Sequence, residues 1–162
     1  LTIYEGTTAI QANDLVGRKT VRDGGQGAKA LAQQIATTEA DLKASDSAHA
    51  LAMHKHLQSA RIAFEQVVDF MAAQGKASPN AVYAGSVPYL MLAGNLMSGW
   101  QMARALLVAE HAAAAGQDAA FMQAKVLTAR FYADHILTRV PGLRDSIVEG
   151  YAGVTDMALE AF

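Results

Sequence analysis

Hydrophobic residues recur at helical spacing along most of the chain. In two stretches the apolar positions step by three or four residues, which places them on one face of an α-helix. The first stripe consists of Met53, Leu57, Ala60, Phe64, Val67 and Met71. The second consists of Met122, Val126, Ala129, Ala133, Ile136 and Val140. We expect two long helices whose faces are buried, with Met53, Leu57, Phe64, Val67, Met71, Met122, Val126 and Ile136 in the core.

Capping and turn residues divide the first part of the chain into three helices. Thr7 or Thr8 can cap a first helix, because a side-chain oxygen can accept from a free backbone N–H. The glycine-rich segment 22–27 predicts a turn or hinge. A second helix is expected from about Ala28 to Ala44, and the cluster Ser45-Asp46-Ser47 predicts the start of the third.

The second part predicts two further long helices and a short end. One spans roughly residues 80–115, where Pro88 marks either a kink or the true start of the helix. The other carries the second apolar stripe, and Pro141-Gly142 is expected to stop it. Residues 143–162 predict one or two short helices. The whole pattern indicates an all-α fold, an up-and-down helical bundle of four to five main helices.

Composition supports this fold and excludes several functions. Alanine makes up about a fifth of the residues and proline occurs only three times, which favours helix. The net charge of -2 gives no basic field for nucleic acid. Cysteine is absent, so disulfides, thiolate metal sites and a cysteine nucleophile are excluded. A reducing cytoplasm is compatible with this composition, and we expect a cytoplasmic protein.

The uncharged stretch 77–103 allows two interpretations. As a helix it would extend about 40 Å, enough to cross a bilayer. Its polar residues Asn80, Ser86 and Asn95, the early Pro88 and the lack of flanking basic clusters favour a helix at the centre of a bundle instead. We therefore expect no membrane span.

Histidines and glycines suggest two ligand sites that the spacing does not support. His54 and His56 are two residues apart and point to different helix faces, and the H-E-x-x-H motif is absent, so no metal site is expected. Segment 23–29 could offer N–H groups to an anion at a helix start. It lacks the G-K-[ST] ending of a phosphate loop, which favours a hinge.

Residues 3–11 carry a more specific motif, Ile-Tyr-Glu-Gly-Thr-Thr-Ala-Ile-Gln. This order resembles the signature near the end of acyl-CoA dehydrogenases. The continuation 13–20 is similar to the subgroup with an extra helical extension after the catalytic domain, which includes 3-methylmercaptopropionyl-CoA dehydrogenase-like enzymes. The later pairs Gly99-Trp100 and Ala161-Phe162, with Pro88-Tyr89-Leu90, resemble that extension less specifically.

The resemblance assigns roles to five residues of the motif. It implies that Glu5 is the catalytic base, which removes the α-proton of an acyl thioester. Gly6 would let the backbone approach the substrate closely. Thr7, Thr8 and Ala9 resemble the stretch that lies against FAD, although many relatives carry Gln or Glu where Ala9 stands.

The resemblance also implies a domain organisation. Residues 1–22 would be the tail of the catalytic core and 23–162 an added helical bundle that serves assembly or covers the core. A start at Leu1, without Met or a signal peptide, fits a piece of a longer protein. Such a piece alone is expected to bind no FAD and to catalyse nothing.

Partners follow from the same resemblance. The whole enzyme would use acyl-CoA and FAD, pass electrons to electron-transferring flavoprotein and form a homo-oligomer. We expect no nucleic acid and no membrane as partners. The alternative is an independent helical protein-interaction module whose resemblance at residues 3–11 is fortuitous.

Overall fold

The computed structural model describes the backbone of residues 5–161 and the side chains of 7–158 and 160–161. Within residues 5–161, eight α-helices follow one another: α1 (Glu5–Val16), α2 (Gln26–Ala44), α3 (Ala48–Gln74), α4 (Pro79–Ala84), α5 (Ser86–Ala114), α6 (Ala119–His135), α7 (Val140–Val148) and α8 (Ala152–Thr155). A π-helical turn, Gly17–Val21, continues α1, and 3-10 turns lie at Leu137–Arg139 and Leu159–Ala161. The described backbone contains no β-strand, so the predicted all-α helical bundle is confirmed.

Helices α3 and α5 form the centre of the bundle. Helix α3 packs against α2, α5, α6 and α7, and α5 packs against α1, α3, α6 and α7. The first predicted stripe is buried throughout, as Met53, Leu57, Ala60, Phe64, Val67 and Met71 all lie in the core. Despite its length and its uncharged first half, α5 does not have the apolar character of a membrane span, and neither does any other helix in the described range.

The predicted burial of the second apolar stripe is only partly confirmed. Val126, Ala129, Ala133 and Val140 are buried, but Met122 and Ile136 are only half-buried. Helix α6 ends at His135, and the tighter 3-10 turn after it directs Leu137 inward instead of Ile136. Leu137 fills the space beside Gly99, where an added Cβ would lie 2.5 Å from its Cδ2 atom.

Two predicted helix boundaries also differ from the structure. The helix expected over residues 80–115 is broken at Gly85, where an added Cβ would lie 2.8 Å from the Ile147 side chain. Pro88 lies in the first turn of α5, so it marks the true start of that helix. Pro141-Gly142 was expected to end a helix, but it lies in the first turn of α7. Proline lacks an N–H that this turn does not use, so it favours a helix start as readily as a stop.

Polar side chains fix the ends and the spacing of the central helices. As predicted, Ser47 caps α3: its Oγ accepts from the backbone N–H groups of His49 at 3.1 Å and Ala50 at 3.3 Å. The same hydroxyl donates to the Glu110 carboxylate near the end of α5. Trp100 of α5 donates its Nε1–H to Thr38 Oγ1 of α2 at 2.8 Å.

A buried ion pair joins α2 to α3. Arg61 donates Nε to Glu39 Oε1 at 2.8 Å and Nη2 to Oε2 at 3.0 Å, and a third donor reaches Glu65 at 2.8 Å. Glu39 is only 3% exposed. The Glu39 carboxylate beside it raises the pKa of Arg61 above its usual value. Because a carboxylate this deep is costly without its cation, the pair fixes how α2 and α3 lie against each other.

Removal of the Arg61 guanidinium should therefore lower the free energy of unfolding far more than removal of an exposed cation. We expect Arg61→Leu to lower the free energy of unfolding by about 3–5 kcal/mol, since it leaves the Glu39 carboxylate buried and unpaired. The double variant Glu39→Leu/Arg61→Leu should recover most of that loss. Urea unfolding measures both. In the control Arg18→Ala, loss of the solvent-exposed pair with Asp14 should lower the stability much less. Equal losses in Arg61→Leu and Arg18→Ala would contradict the assignment.

Candidate functional site

The five residues with predicted roles lie on the first two turns of α1. The helix begins at Glu5, so Thr7 and Thr8 lie inside its first turns, and their predicted role as caps is wrong. Thr7, Thr8 and Ala9 are exposed. The Glu5 side chain lies outside the described side chains, so its predicted role as base stays a prediction, as does the role of Gly6. These five residues are therefore contiguous at the start of one helix, and the three with described side chains face outward.

The second half of α1 holds this helix against the bundle. Ala12 and Val16 are fully buried, and α1 packs mainly against α5. The π-helical turn that follows brings Thr20 into the core, where it is 1% exposed. A buried hydroxyl needs a hydrogen-bond partner, and Thr20 has two.

Thr20 connects the end of α1 to α5 through Tyr89. Its Oγ1 donates to the Leu15 carbonyl at 2.9 Å and lies 3.0 Å from the Tyr89 hydroxyl. Because the single hydroxyl hydrogen of Thr20 is used on Leu15, Tyr89 is the donor in the second bond. Phe64 of α3 stacks against the Tyr89 ring at 6.1 Å between centroids. Burial raises the pKa of the Tyr89 phenol above its usual value.

A mostly apolar cavity of about 290 Å3 lies beside this bond, between α1, α2 and α5. Leu31, Ala93 and Met97 line it, and the Lys19 side chain stands at its edge, within 3.6 Å of Asp14. The cavity adjoins the last turn of α1, not the motif at its start. The sequence analysis did not predict this cavity. The cavity depends on the π-helical turn, and no periodic pattern of residues marks such a turn.

In the glycine-rich turn, backbone N–H groups bind a carboxylate of the same turn. Gly25 and Gly27 each donate a backbone N–H to the Asp23 carboxylate at 2.9 Å. Gly24 and Gly25 have φ values of 66° and 79°, which glycine adopts without strain. These N–H groups at the start of α2 are thus occupied by the carboxylate of the same turn, and the predicted turn is present at residues 22–25.

The histidines do not come together as a metal site. Over the residues whose side chains are placed, no three His, Asp or Glu residues are grouped in a way that could hold a metal ion. His56 Nε2 lies 3.5 Å from the Asp134 carboxylate of α6, which also accepts from Arg130. These side chains connect α3 to α6.

Sequence comparison assigns the family. The sequence profile described as "Acetyl-CoA dehydrogenase C-terminal like" matches residues 29–158. The chain belongs to the acyl-CoA dehydrogenase family. The matched range covers most of the bundle and begins after the motif at residues 3–11. Membership of this family contradicts the alternative that the resemblance to acyl-CoA dehydrogenases is fortuitous.

Three curated acyl-CoA dehydrogenases are similar to the chain. The 3-methylmercaptopropionyl-CoA dehydrogenase of Ruegeria pomeroyi is 50% identical over 85% of the chain and 23% of its own length. A broad-specificity linear acyl-CoA dehydrogenase of Mycobacterium tuberculosis is 32% identical over 90% of the chain and 25% of its own length. The butyryl-CoA dehydrogenase of Syntrophomonas wolfei is 31% identical over 99% and 26%. The chain thus spans about a quarter of the length of these acyl-CoA dehydrogenases.

The buried phenol should make the stability of this domain depend on pH above about 10, the ordinary tyrosine pKa. There the unfolded chain releases the Tyr89 proton while the folded chain keeps it, so the free energy of unfolding falls as the pH rises toward the folded-state pKa. In Tyr89→Phe this contribution is absent. We expect the stability difference between wild type and Tyr89→Phe to shrink between neutral pH and pH above about 10.

Thermal or urea unfolding across that pH range measures the difference. The matched control is Tyr83→Phe, since Tyr83 is 42% exposed. Because Tyr89 is intact in Tyr83→Phe, this variant should keep the fall in stability above a pH of about 10. The same fall in Tyr89→Phe would show that the phenol ionises equally in the folded and unfolded states.

Proposed function

We propose that this chain is the C-terminal part of an FAD-dependent acyl-CoA dehydrogenase, which introduces a double bond between Cα and Cβ of an acyl-CoA thioester. The family match over residues 29–158 carries the proposal. The similarity to three acyl-CoA dehydrogenases over most of the chain supports it further.

In this proposal Glu5 is the general base. Its carboxylate takes the α-proton of the thioester, a weakly acidic proton whose removal places negative charge on the thioester oxygen. The backbone N–H of Glu5 donates to that oxygen as the charge develops. The position of Glu5 at the start of α1 supports this role, because the first N–H groups of a helix have no acceptor within the helix. Gly6 permits close approach of the thioester to the backbone.

FAD, when bound, supplies the hydride acceptor for the β-hydrogen. Thr7, Thr8 and Ala9 would lie along one edge of its site. Their exposure on α1 fits such an edge, and Ala9 can contribute only its methyl group. The remaining walls of the flavin and substrate sites would come from residues outside this chain. Hence we propose that the 162-residue chain alone binds no flavin and has no activity.

The bundle from residue 23 onward would serve assembly or cover the catalytic core, whose tail is residues 1–22. Uncovered apolar side chains on three helices support a surface of this kind: Ile10 on α1, Leu31 on α2 and Met91 on α5, of which Ile10 is 65% exposed. We further propose a cytoplasmic homo-oligomer that passes its electrons to electron-transferring flavoprotein.

The isolated chain offers a direct test of the domain proposal. Purified and incubated with FAD, it should remain colourless after gel filtration, with no flavin absorption in the visible range. The longer protein treated in the same way should retain the flavin band. Stoichiometric flavin on the 162-residue chain would contradict the assignment of the flavin site to residues outside it.

The role of Glu5 is tested in the full-length protein. Glu5→Gln keeps the size of the side chain but removes the base, so anaerobic reduction of the flavin by acyl-CoA should slow by about 10²–10⁴-fold or more. Binding of FAD and acyl-CoA, measured first, should persist. The control Glu149→Gln changes an exposed carboxylate outside the motif and should reduce its flavin at the wild-type rate. Rapid flavin reduction in Glu5→Gln would place the base elsewhere.

A further inference from the structure

A concave groove between α5 and α6 lies apart from the motif and from the cavity beside α1. It has a volume of about 430 Å3 and an apolar floor made by Ala105, Val108, Ala109 and Met122. Val108 is 66% exposed although it is a large aliphatic residue. This groove is also where the second apolar stripe fails, since Met122 is only half-buried there. An apolar groove of this size is suited to holding a few side chains of a partner.

Two basic side chains flank the groove, and neither is paired with a carboxylate among the described residues. Arg104 lies over the Trp100 ring at 5.7 Å from its centroid and donates to Gln101. Lys125 lies over the Phe121 ring at 4.9 Å. Both are exposed, and neither forms an ion pair with any described side chain. The groove therefore favours an occupant that is both apolar and acidic.

The end of the same chain has this chemistry. We define the acidic tail as residues 152–161, which contain Asp156 and Glu160 and no basic residue. Both carboxylates are exposed, and neither is paired with a cation among the residues described. Two large apolar side chains of the tail are also uncovered, Val154 at 66% and Met157 at 51% exposure. Tail and groove are thus complementary in both charge and polarity.

The tail of one molecule does not reach its own groove in this structure. Helix α8 packs against α4, which immediately precedes α5, and Tyr151 contacts Phe70 at 5.5 Å between ring centroids. Ala105 of the groove is 19 residues after Ser86, the start of α5, so it lies about 28 Å further along that helix. Docking within one molecule would require the tail to leave α4.

We propose that the α5/α6 groove binds the acidic tail of a second copy of this chain. Asp156 and Glu160 of one copy pair with Arg104 and Lys125 of the other, and Val154 and Met157 cover the apolar floor. A reciprocal exchange gives a closed pair with two equivalent contacts, as two-fold symmetry requires. The contact combines buried apolar area with exposed ion pairs, so added salt weakens it.

Cross-linking in the full-length protein tests the contact directly. These 162 residues contain no cysteine. In a background where any cysteine outside them is replaced by serine, Val108→Cys/Met157→Cys treated with a short bismaleimide should give a dimer band on a denaturing gel. The control pair Met91→Cys/Met157→Cys, with Met91 exposed near the start of α5, should give little. Absence of the dimer band, or a cross-link within one chain, would overturn the proposal.

A charge exchange separates this occupant from others. In the same cysteine variant, Arg104→Glu/Lys125→Glu should lower the yield of dimer about tenfold, and Asp156→Lys/Glu160→Lys should do the same. All four changes together should restore it, because each reversed groove then meets a reversed tail. Lys55→Glu/Lys76→Glu, which reverses two exposed lysines elsewhere, should leave the yield unchanged.

A different result would overturn the tail exchange. If the groove variant lowers the yield of dimer, the tail variant does not, and the combined variant does not restore it, then another acidic surface occupies the groove. Flavin reduction in the same variants, whose Glu5 is intact, reports separately on the proposed dehydrogenase activity. Failure of one proposal would therefore leave the other standing.

Discussion

Close packing around α5 is the constraint on which the rest of the structure depends. Helices α1, α2, α3, α6 and α7 all pack against it, and the buried positions of α5 carry no charged side chain. Some of these positions are small, such as Gly99 and the buried Ala103, and Gly99 admits the Leu137 side chain with no room for a Cβ. The uncharged stretch 77–103 is thus explained by helix packing on several sides. Since α1 is one of the packed helices, the position of the motif at its start depends on the same constraint.

The sequence pattern predicted those parts of the fold that depend on periodicity within one helix. The stripe from Met53 to Met71 is buried as expected, and Ser47 caps α3 as expected. The errors arise where local geometry departs from the regular α-helix. The 3-10 turn after His135 directs Leu137 rather than Ile136 inward, and no spacing rule extrapolates across a change of helix type. Pro141 was misinterpreted because proline favours a helix start as well as a helix end.

The sequence was informative about the candidate site in the same respect: it shows the motif, but not the tertiary contacts around it. The order of residues 3–11 is specific enough to assign roles to Glu5 and its neighbours without knowledge of packing, and these roles stay predictions. The contacts that hold α1 were beyond prediction. Thr20 and Tyr89 are far apart in the sequence, and their hydrogen bond exists only because a π-helical turn directs Thr20 inward. Asp23 was predicted only as part of a turn or hinge, and the two hydrogen bonds by which its carboxylate organises the start of α2 were not predicted.

The bond between Trp100 and Thr38 gives this domain a built-in optical probe. Trp100 is the single tryptophan of the chain, and its indole is fixed between α2, through Thr38, and the guanidinium of Arg104. Its emission therefore comes from one known position in the bundle, without contributions from other indoles within these residues. Separation of α2 from α5 exposes the indole to water, and any ligand that draws Arg104 away changes the charge above the ring. Folding of the bundle and occupation of its groove can thus be followed by fluorescence of the unlabelled domain.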